Sequence, residues 1–172
     1  MDLKSYIREI PGFPKPGINF NDITPLLQNS EAFHQAVDVL AEKVEGFNFD
    51  KIMAVESRGF IFASALAYKL NKGFIPVRKK GKLPYRTISY TYQLEYGQDT
   101  LEVHEDALQK GDRVLIVDDL LATGGTAEAC IQLTHKLSAE VSAIVFLIEL
   151  TFLKGREKLK DYPVISIIEF SS

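Results

Sequence analysis

Residues Val114 to Thr126 read V-L-I-V-D-D-L-L-A-T-G-G-T, and this stretch predicts the fold of the chain. Its first four residues are apolar and three of them are β-branched, which is typical of a short strand buried on both faces of a parallel sheet. Two adjacent carboxylates, Asp118 and Asp119, follow where this strand is expected to end. After the glycines, apolar residues recur at helical spacing, namely Cys130, Leu133 and Leu137. The order of strand, acidic pair, glycine turn and helix indicates an α/β fold.

The glycine turn has the chemistry of a phosphate site. Gly124 and Gly125 carry no Cβ, so the turn can bring backbone N–H groups close to a ligand. The first N–H groups of the following helix have no partner within the helix, and the helix dipole favours an anion there. Thr123 and Thr126 add two hydroxyl donors. We therefore expect a phosphorylated ligand at this turn.

The acidic pair has a different chemistry, since Asp118 and Asp119 would repel a phosphate. Two neighbouring carboxylates suit a vicinal diol, such as two hydroxyls of a sugar, or a Mg²⁺ ion that accompanies the phosphate. The alternative is that they only cap the next helix. Because the glycine turn follows so closely, we favour a phosphorylated sugar as the ligand.

A second strand, turn and helix unit precedes this one. Ile52 to Val55 read as a buried strand, and E-S-R-G-F, from Glu56 to Phe60, leads into an apolar helix. The start of this helix would make a second anion site, at which Ser57 and Arg58 are candidate ligands. The alternative for Arg58 is an ordinary surface ion pair. Two such units indicate a ligand with phosphates at both ends.

A basic run follows the next predicted strand, Phe74 to Val77. It reads R-K-K-G-K-L-P, from Arg78 to Pro84. Ligand sites of open α/β sheets lie at the carboxyl ends of the strands. Arg78, Lys79 and Lys82 are therefore candidates to neutralise a diphosphate. A solvated loop is the alternative interpretation of such a run.

The N-terminal segment is less regular. Leu3, Ile7 and Ile10 share one face of a predicted short helix that Pro11 stops. A run rich in proline and glycine comes next. Ile18 to Leu27 follow it, and we expect them to form either a packing loop or a lid over a flat heterocycle.

The patterns further along the chain predict an amphipathic helix and a hairpin. The helix begins at Ser30, its expected cap, and ends at Gly46. Apolar and polar residues alternate from Ile88 to Leu94, as in a half-buried strand. Glu95 to Gln98 form the predicted turn, and Thr100 to His104 return as the second strand.

Composition bounds the class of protein. The chain has 172 residues, of which 46% are hydrophobic and 25% charged, as in one ordinary globular domain. Its net charge of −3 argues against non-specific binding of nucleic acid or anionic membranes. The single cysteine, Cys130, excludes an intrachain disulfide and fits a reducing compartment. The sequence shows neither a signal segment nor an apolar run of membrane length, and its histidines are scattered. We expect a cytoplasmic protein without a metal site of its own.

The segment V-D-D-L-L-A-T-G-G-T resembles the phosphoribosyl pyrophosphate (PRPP) loop of the type I phosphoribosyltransferases, and specifically of their adenine branch. This resemblance implies that Asp118 and Asp119 hold the ribose 2′ and 3′ hydroxyls. It implies a 5′-phosphate cradle made of Ala122, Thr123, Gly124, Gly125 and Thr126. E-S-R-G-F resembles the pyrophosphate loop of the same family, which often contains a non-proline cis peptide. The resemblance therefore implies a pyrophosphate site made of Ser57, Arg58, Arg78, Lys79 and Lys82.

Two other segments extend the resemblance. F-P-K-P-G-I-N-F-N-D-I-T-P resembles the adenine-binding hood of the adenine branch. By this resemblance Phe20 and the backbone of Asn19 face the base, and Asn21 stands there where many members carry arginine. T-L-E-V-H-E-D-A-L resembles the segment whose glutamate acts as general acid/base on the purine. From the alternation of the strand alone, Glu102 is predicted to be an exposed residue of the hairpin, whereas the resemblance implies that catalytic role.

Together these segments imply a type I phosphoribosyltransferase fold, in which helices flank a central parallel sheet and a flexible β-hairpin flap and a small N-terminal hood are added. Residues 1–30 would form the hood and adenine side, and residues 31–172 a single PRPP-binding α/β core. The implied reaction is adenine plus PRPP to AMP plus diphosphate in purine salvage, with Mg²⁺ bound mainly through PRPP, in a homodimer. The alternatives are a 6-oxopurine phosphoribosyltransferase and a PRPP-binding regulator without catalysis. A dinucleotide-binding protein is not favoured, since no G-x-G-x-x-G occurs.

Overall fold

The computed structural model describes residues 1–93 and 97–172, which form nine strands and four α-helices. The strands are β1 (Arg8–Pro11), β2 (Asn19–Asp22), β3 (Lys51–Val55), β4 (Gly73–Lys79), β5 (Thr87–Gln93), β6 (Gln98–His104), β7 (Arg113–Leu121), β8 (Glu140–Leu150) and β9 (Val164–Phe170). The helices are α1 (Thr24–Gln28), α2 (Ser30–Lys43), α3 (Arg58–Leu70) and α4 (Gly125–Lys136). Short 3-10 helices span Leu3–Tyr6, Thr151–Leu153 and Gly155–Leu159.

The large sheet has seven strands in the order β5-β6-β4-β3-β7-β8-β9. β4, β3, β7, β8 and β9 run parallel, and the antiparallel hairpin of β5 and β6 is added at the β4 edge. α2 and α3 pack into one buried apolar cluster, and α4 packs into a second cluster that contains alternate residues of the same strands. This arrangement confirms the predicted α/β fold, with helices on a central parallel sheet and an added hairpin.

β7 is longer than the sequence pattern predicted. Its pairing with β8 continues past the expected end, through Asp118 and Leu120 to Leu121, so the acidic pair lies within the strand rather than after it. The pairing of β7 with β3 stops at Ile116. The carboxyl end of β7 therefore extends beyond its β3 pairing, and it carries Asp118 and Asp119 beside the start of α3.

The predicted N-terminal helix is wrong beyond its first turn. Only Leu3–Tyr6 are helical, as a 3-10 helix, and Leu3 and Ile7 are buried. Ile10 belongs instead to β1 and pairs with Phe20 of β2 in a separate two-stranded sheet. The apolar spacing matched a helix by coincidence, because backbone pairing with a strand distant in sequence decides the conformation here.

The boundaries of α2 also differ from the prediction. Asn29 rather than Ser30 is the N-cap, since its Oδ1 accepts the N–H of Ala32 at 2.9 Å. Asn29 has the extended backbone that a cap needs, whereas Ser30 is already helical. The helix ends at Lys43, before the predicted Gly46. The amphipathic character is as predicted, with one face buried.

One connection at the carboxyl edge of the sheet has an unusual backbone. A non-proline cis peptide joins Glu56 to Ser57, between β3 and α3, as the resemblance implied.

β5 shows the predicted alternation of half-buried and exposed residues. The predicted end of this strand at Leu94 and the first two residues of the predicted turn lie outside the described residues, and Gln98 already belongs to β6. Within the described ranges, no helix is long and apolar enough to cross a membrane.

Asp22 joins β2 to both β1 and α1. Its carboxylate accepts the N–H of Thr24 at 2.9 Å and Nη2 of Arg8 at 2.8 Å. The bonds from Thr24, and then those from Arg8, lower the pKa of Asp22 from 3.8 to about 2. A carboxyl group whose pKa is lower in the folded than in the unfolded chain stabilises the fold at pH values above its ordinary pKa. This stabilisation is lost as the pH falls through the pKa of the folded state.

We expect Asp22→Asn to melt at a lower temperature than the parent chain at neutral pH, because it loses this charged acceptor. The difference should shrink as the pH falls from 3.8 toward about 2, where Asp22 of the parent chain becomes protonated. Thermal melts followed by circular dichroism across this range measure it, and Glu9→Gln, on the exposed face of β1, is the control. A difference that does not vary with pH would contradict the role of the ionised carboxylate.

Candidate functional site

Most of the predicted site residues line two adjoining cavities at the carboxyl ends of β3 and β7. The first has a volume of about 590 Å³, and it is lined by Arg58, Tyr92, Gln93, residues 118–127, Phe146 and Lys158. The second has a volume of about 260 Å³, and it is lined by residues 55–59, Lys79, Tyr92, Asp99, Leu101, Asp118, Asp119 and Thr126. Arg58 and the acidic pair belong to both linings. The two cavities therefore form one site with the carboxylates at its centre.

A larger cavity, of about 790 Å³, lies between the C-terminal ends of α2 and α3. Its lining carries both acidic and basic side chains, such as Asp38 and Lys69, and contains none of the predicted site residues. Size alone therefore does not locate the functional site. The convergence of the glycine turn, the acidic pair and the half-buried Arg58 locates the functional site.

The turn between β7 and α4 has the shape of an anion site. Gly124 is the N-cap of α4, with φ +91° and ψ 0°, a left-handed conformation that side chains rarely adopt. A Cβ on Gly124 would lie 2.8 Å from the carbonyl oxygen of Gly155, so glycine is required here. Glu128 donates its N–H to the Gly124 carbonyl at 3.0 Å. The N–H groups of residues 125–127 precede this bond, so they have no partner within the helix and are available to a ligand.

The acidic pair is desolvated and incompletely hydrogen-bonded. Asp119 is 6% exposed, and its Oδ2 forms an ion pair with Nη2 of Arg58. Among the described residues this oxygen has no hydrogen-bond donor of acceptable geometry. Asp118 Oδ1 accepts the N–H of Asp119 at 2.8 Å. Burial, and then the negative charge of Asp119, raise the pKa of Asp118 well above its usual range. Such carboxylates are suited to accept hydroxyl groups of a ligand.

Arg58 joins the acidic pair to the hood. Besides its ion pair with Asp119, it donates from Nη1 to the carbonyl of Asn21 at 3.3 Å. Its guanidinium also lies over the ring of Phe20, 5.1 Å from the centroid. Phe20 contacts Phe13 edge to face, with centroids 5.2 Å apart. Arg58 is therefore not the isolated surface ion pair of the alternative interpretation, because it has three partners in two parts of the chain.

Only one of the three basic candidates lines the second cavity, and the structure places Arg78 and Lys79 in the last two positions of β4 rather than after it. Lys79 does so, and its Nζ donates to Asp99 at 3.1 Å, an interaction that raises the pKa of Lys79. Arg78 binds Glu56 instead, with 3.0 Å between Nε and Oε1. Lys82 is exposed and lines neither cavity. A diphosphate in the second cavity would compete with Asp99 for Lys79.

The hood residues lie beside the site rather than in the cavity linings. Asn19, Phe20 and Asn21 form most of β2, and Arg58 is their contact with the first cavity. Asn19 is exposed, whereas Asn21 is 7% exposed. The structure therefore brings Phe20 and the backbone of Asn21 to the edge of the site, through the guanidinium of Arg58.

The structure does not bring Glu102 to the other predicted residues. Its Oε1 accepts the N–H of Gly81 at 2.9 Å, and its Oε2 accepts the hydroxyl of Thr87 at 3.1 Å. Its neighbours Leu101 and Val103 are buried on the other face of β6. Glu102 lines neither cavity, so its catalytic role stays a prediction from the resemblance.

Several lining residues were not predicted as site residues, among them Tyr92, Asp99 and Lys158. Tyr92 lines both cavities, as does Thr126 of the glycine turn. Asp99 is the cross-strand partner of Tyr92 in the hairpin. The alternation of β5 placed Tyr92 on the half-buried face, which was the available signal. Lys158 comes from a 3-10 helix far along the chain, and its local sequence carries no such signal.

Comparison with known proteins shows similarity over the whole chain. The family model described as phosphoribosyl transferase domain matches residues 24–171. An adenine phosphoribosyltransferase of Acetivibrio thermocellus is 60% identical over 171 residues, which cover 99% of this chain and 100% of the relative. Another, of Pseudothermotoga lettingae, is 58% identical over 170 residues, with 99% and 100% covered. The similarity thus includes the hood segment as well as the core.

Solved structures agree with this similarity. The crystal structure of adenine phosphoribosyltransferase from Thermoanaerobacter pseudethanolicus superposes with a TM-score of 0.96 at 56% identity, covering 98% of each chain. The enzyme of that name from Saccharomyces cerevisiae was solved in complex with an imino-altritol bisphosphate and adenine. It superposes with a TM-score of 0.90 at 42% identity, covering 96% of each chain. The arrangement of strands and helices is therefore shared with both proteins.

Proposed function

The chain belongs to the phosphoribosyltransferase family and acts as an adenine phosphoribosyltransferase, and we propose that its joined cavities hold PRPP and adenine for the reaction that yields AMP and diphosphate. One observation carries this assignment of the site. The phosphate turn, the acidic pair and Arg58 line one continuous site, and Arg58 connects it to the aromatic hood. PRPP has a phosphate at one end, a diol in the middle and a diphosphate at the other end. The groups suited to bind these three parts follow one another in the same order along the site.

The 5′-phosphate would bind in the turn of residues 122–126. The unpaired N–H groups at the start of α4 and the hydroxyls of Thr123 and Thr126 are its donors. Lys158, which lines the same cavity, adds a cation. Each charge-assisted hydrogen bond contributes roughly 1.5–3 kcal/mol, so several together hold this end of the sugar firmly.

The ribose would lie against the acidic pair. Asp118 and Asp119 would accept its 2′ and 3′ hydroxyls. Asp119 Oδ2 is ion-paired with Arg58, but among the described residues it has no hydrogen-bond donor of acceptable geometry. The sugar carries positive charge in the transition state, when the diphosphate leaves and the base nitrogen attacks. Negative charge already in place beside it stabilises that state more than the ground state.

The diphosphate would occupy the second cavity, beside Ser57, Arg58 and Lys79. Mg²⁺ fits this site as part of the ligand. The part of the chain that the structure describes contains no group of three or more metal-ligating side chains, and Mg²⁺ is often bound through substrate phosphates and one or two carboxylates. The acidic pair would hold it, and when bound it neutralises charge on the leaving diphosphate. We assign Arg78 and Lys82 to longer-range neutralisation, since neither lines the cavity.

The hood would hold adenine beside Arg58. Phe20 offers a flat apolar surface, and the backbone of Asn19 and Asn21 offers donors and acceptors to the base edge. The paired β1 and β2 strands stiffen this segment, so that little order has to be gained on binding. The buried Asn21 stands at the position where many relatives carry arginine, and it is the residue on which we expect base selectivity to depend.

The experiment that tests the function is nucleotide formation from PRPP and Mg²⁺ with adenine, hypoxanthine, guanine and xanthine in parallel. We expect AMP from adenine and no nucleotide from the other bases. Product from a 6-oxopurine would contradict the role of the hood and point to Asn21. PRPP binding without any product would favour the regulator instead.

We propose that Glu102 is the general acid/base. The resemblance supports this role, and the Glu102 carboxylate would first have to leave Gly81 and Thr87. Loss of a general acid/base typically lowers kcat by roughly 10²–10⁴-fold.

Glu102→Gln should therefore be compared with the parent chain for kcat, for KM and for the pH dependence of kcat. If Glu102 has the role, its variant loses kcat by roughly that factor with little change in the KM for PRPP. Unchanged kcat with a lower melting temperature would make Glu102 structural. Glu105→Gln, just beyond β6, is the control.

We also propose that residues 1–30 act as the hood unit, that the chain is a homodimer and that it works in the cytoplasm. The dimer rests on the resemblance, and light scattering should give about twice the chain mass of 19.3 kDa. A mass of one chain would contradict it. The location is supported by the single cysteine, Cys130, which is buried and unpaired, and cell fractionation tests it.

A further inference from the structure

The segment after β8 lies directly behind the phosphate turn. Leu121, at the end of β7, pairs with Glu149 of β8. The chain then forms one short 3-10 helix and returns to the turn at Gly155, the first residue of a second 3-10 helix. Gly155 is buried there, and a Cβ on it would lie 2.5 Å from the carbonyl oxygen of Ala122. The Gly155 carbonyl oxygen is also the atom that excludes a side chain at Gly124. Gly155 is therefore in direct contact with both sides of the turn.

One ion pair fastens this segment to the sheet. Arg156, the next residue, places its Nε 2.9 Å from each carboxylate oxygen of Glu149. Its Nη1 donates to the carbonyl of Val164 at 2.8 Å, and the hydroxyl of Ser166 donates to Glu149 at 2.7 Å. The side chain of Glu149 is 4% exposed. Arg156 thus binds both β8 and β9, and these contacts hold the segment behind the turn against the sheet.

We propose that Arg156 and Glu149 are positioning residues for the 5′-phosphate, acting through Gly155. Neither side chain lines the cavity, so they cannot contact the ligand there. By holding Gly155 against the turn, they keep its N–H groups in the arrangement that binds a phosphate. The same ion pair places Lys158, two residues later, in the cavity lining. The inference rests on the proposed function, since it assigns the turn to the 5′-phosphate.

Ligand binding at the two ends of the site distinguishes a positioning role of Arg156 from a purely structural one. The turn is backed by Gly155, whereas the second cavity is built from residues 55–59 and Lys79, which Arg156 does not contact. A positioning role therefore weakens one end of the site selectively. General destabilisation weakens both ends together.

The experiment is calorimetric titration of the full chain with two probes, ribose 5-phosphate and inorganic diphosphate with Mg²⁺. We expect Arg156→Ala to weaken ribose 5-phosphate binding at least tenfold, and diphosphate binding by no more than about twofold. The KM for PRPP should rise more than kcat falls. Arg156→Lys, which keeps the charge without the planar fork, and Glu149→Gln should lie between Arg156→Ala and the parent chain.

The matched control is Lys69→Ala, which removes an ion pair with Asp38 at 3.0 Å, away from the site. All titrations are made where circular dichroism shows each variant folded, and Arg156→Lys decides if Arg156→Ala does not fold. If the variants lose affinity for both probes equally, or if no variant changes either affinity, this inference is overturned but the proposed function is not. A parent chain that binds neither probe would overturn the proposed function and the inference with it.

Discussion

Replacing Gly124 by alanine is expected to raise the KM for PRPP by about 100-fold, with a smaller change in kcat. Gly124 has φ +91°, and a left-handed conformation costs a residue with a side chain roughly 1–2 kcal/mol. The new Cβ would also lie 2.8 Å from the Gly155 carbonyl oxygen, and such overpacking costs roughly 1–3 kcal/mol. The turn can relieve both only by moving away from Gly155, and its N–H groups then no longer converge on the phosphate. Initial rates of AMP formation at varied PRPP measure the effect.

Gly111→Ala is the matched control for this substitution. Gly111 has nearly the same φ, +86°, but no atom lies within 4 Å of the Cβ that alanine would add. It precedes β7 at the opposite end from the site. We expect it to lower the melting temperature through backbone strain alone and to leave the KM for PRPP unchanged. If both variants behave alike, the contact with Gly155 does not shape the phosphate turn.

Replacing Asp119 by asparagine is expected to lower kcat/KM for PRPP by about 10³-fold, with most of the loss in kcat. Asparagine has nearly the same volume, so the packing around this buried position is retained. It removes the charge that pairs with Arg58 and that faces the positive sugar of the transition state. It also turns charge-assisted hydrogen bonds to the ribose into weaker neutral ones. Steady-state kinetics with PRPP and adenine varied separately measure the loss.

Two other aspartates provide the comparison. Asp50→Asn is the control, because Asp50 accepts the N–H of Arg113 at 2.8 Å at the far end of β7 and should leave kcat unchanged. Asp118→Asn should cost less activity than Asp119→Asn. Burial and the charge of Asp119 raise the pKa of Asp118, so a neutral amide resembles its favoured form more closely. The opposite ranking would show that Asp118 carries the negative charge that catalysis needs.

Sequence patterns predicted the structure correctly where it depends only on residues that are close in sequence. The β-branched run before Asp118 predicted a strand buried on both faces, and the structure confirms it. The need for glycine at the phosphate turn followed from backbone freedom, and Gly124 is in the left-handed conformation. The hairpin alternation of β5 was predicted for the same reason, since the period of a strand is a property of the backbone itself.

Local sequence failed where the partner lies elsewhere in the chain. Ile10 matched a helical period but forms a strand, because β2 supplies its hydrogen-bond partners. β7 extends through the acidic pair because β8 continues beside it, which no pattern within β7 records. For Glu102 the structure shows only that Gly81 and Thr87 bind its carboxylate outside the two cavities, so the catalytic role that the resemblance implies stays a prediction.

The sequence by itself determined the α/β architecture, the phosphate turn and the presence of the acidic pair, because these depend on backbone freedom, strand period and charge within a few residues. Only the tertiary structure decided that Arg58 reaches both Asp119 and the hood, that Lys79 rather than Arg78 or Lys82 lines the second cavity, and that Gly155 backs the turn. These are contacts between residues distant in sequence. The register of neighbouring strands and the path of the chain between them decide such contacts, and neither is encoded at one position.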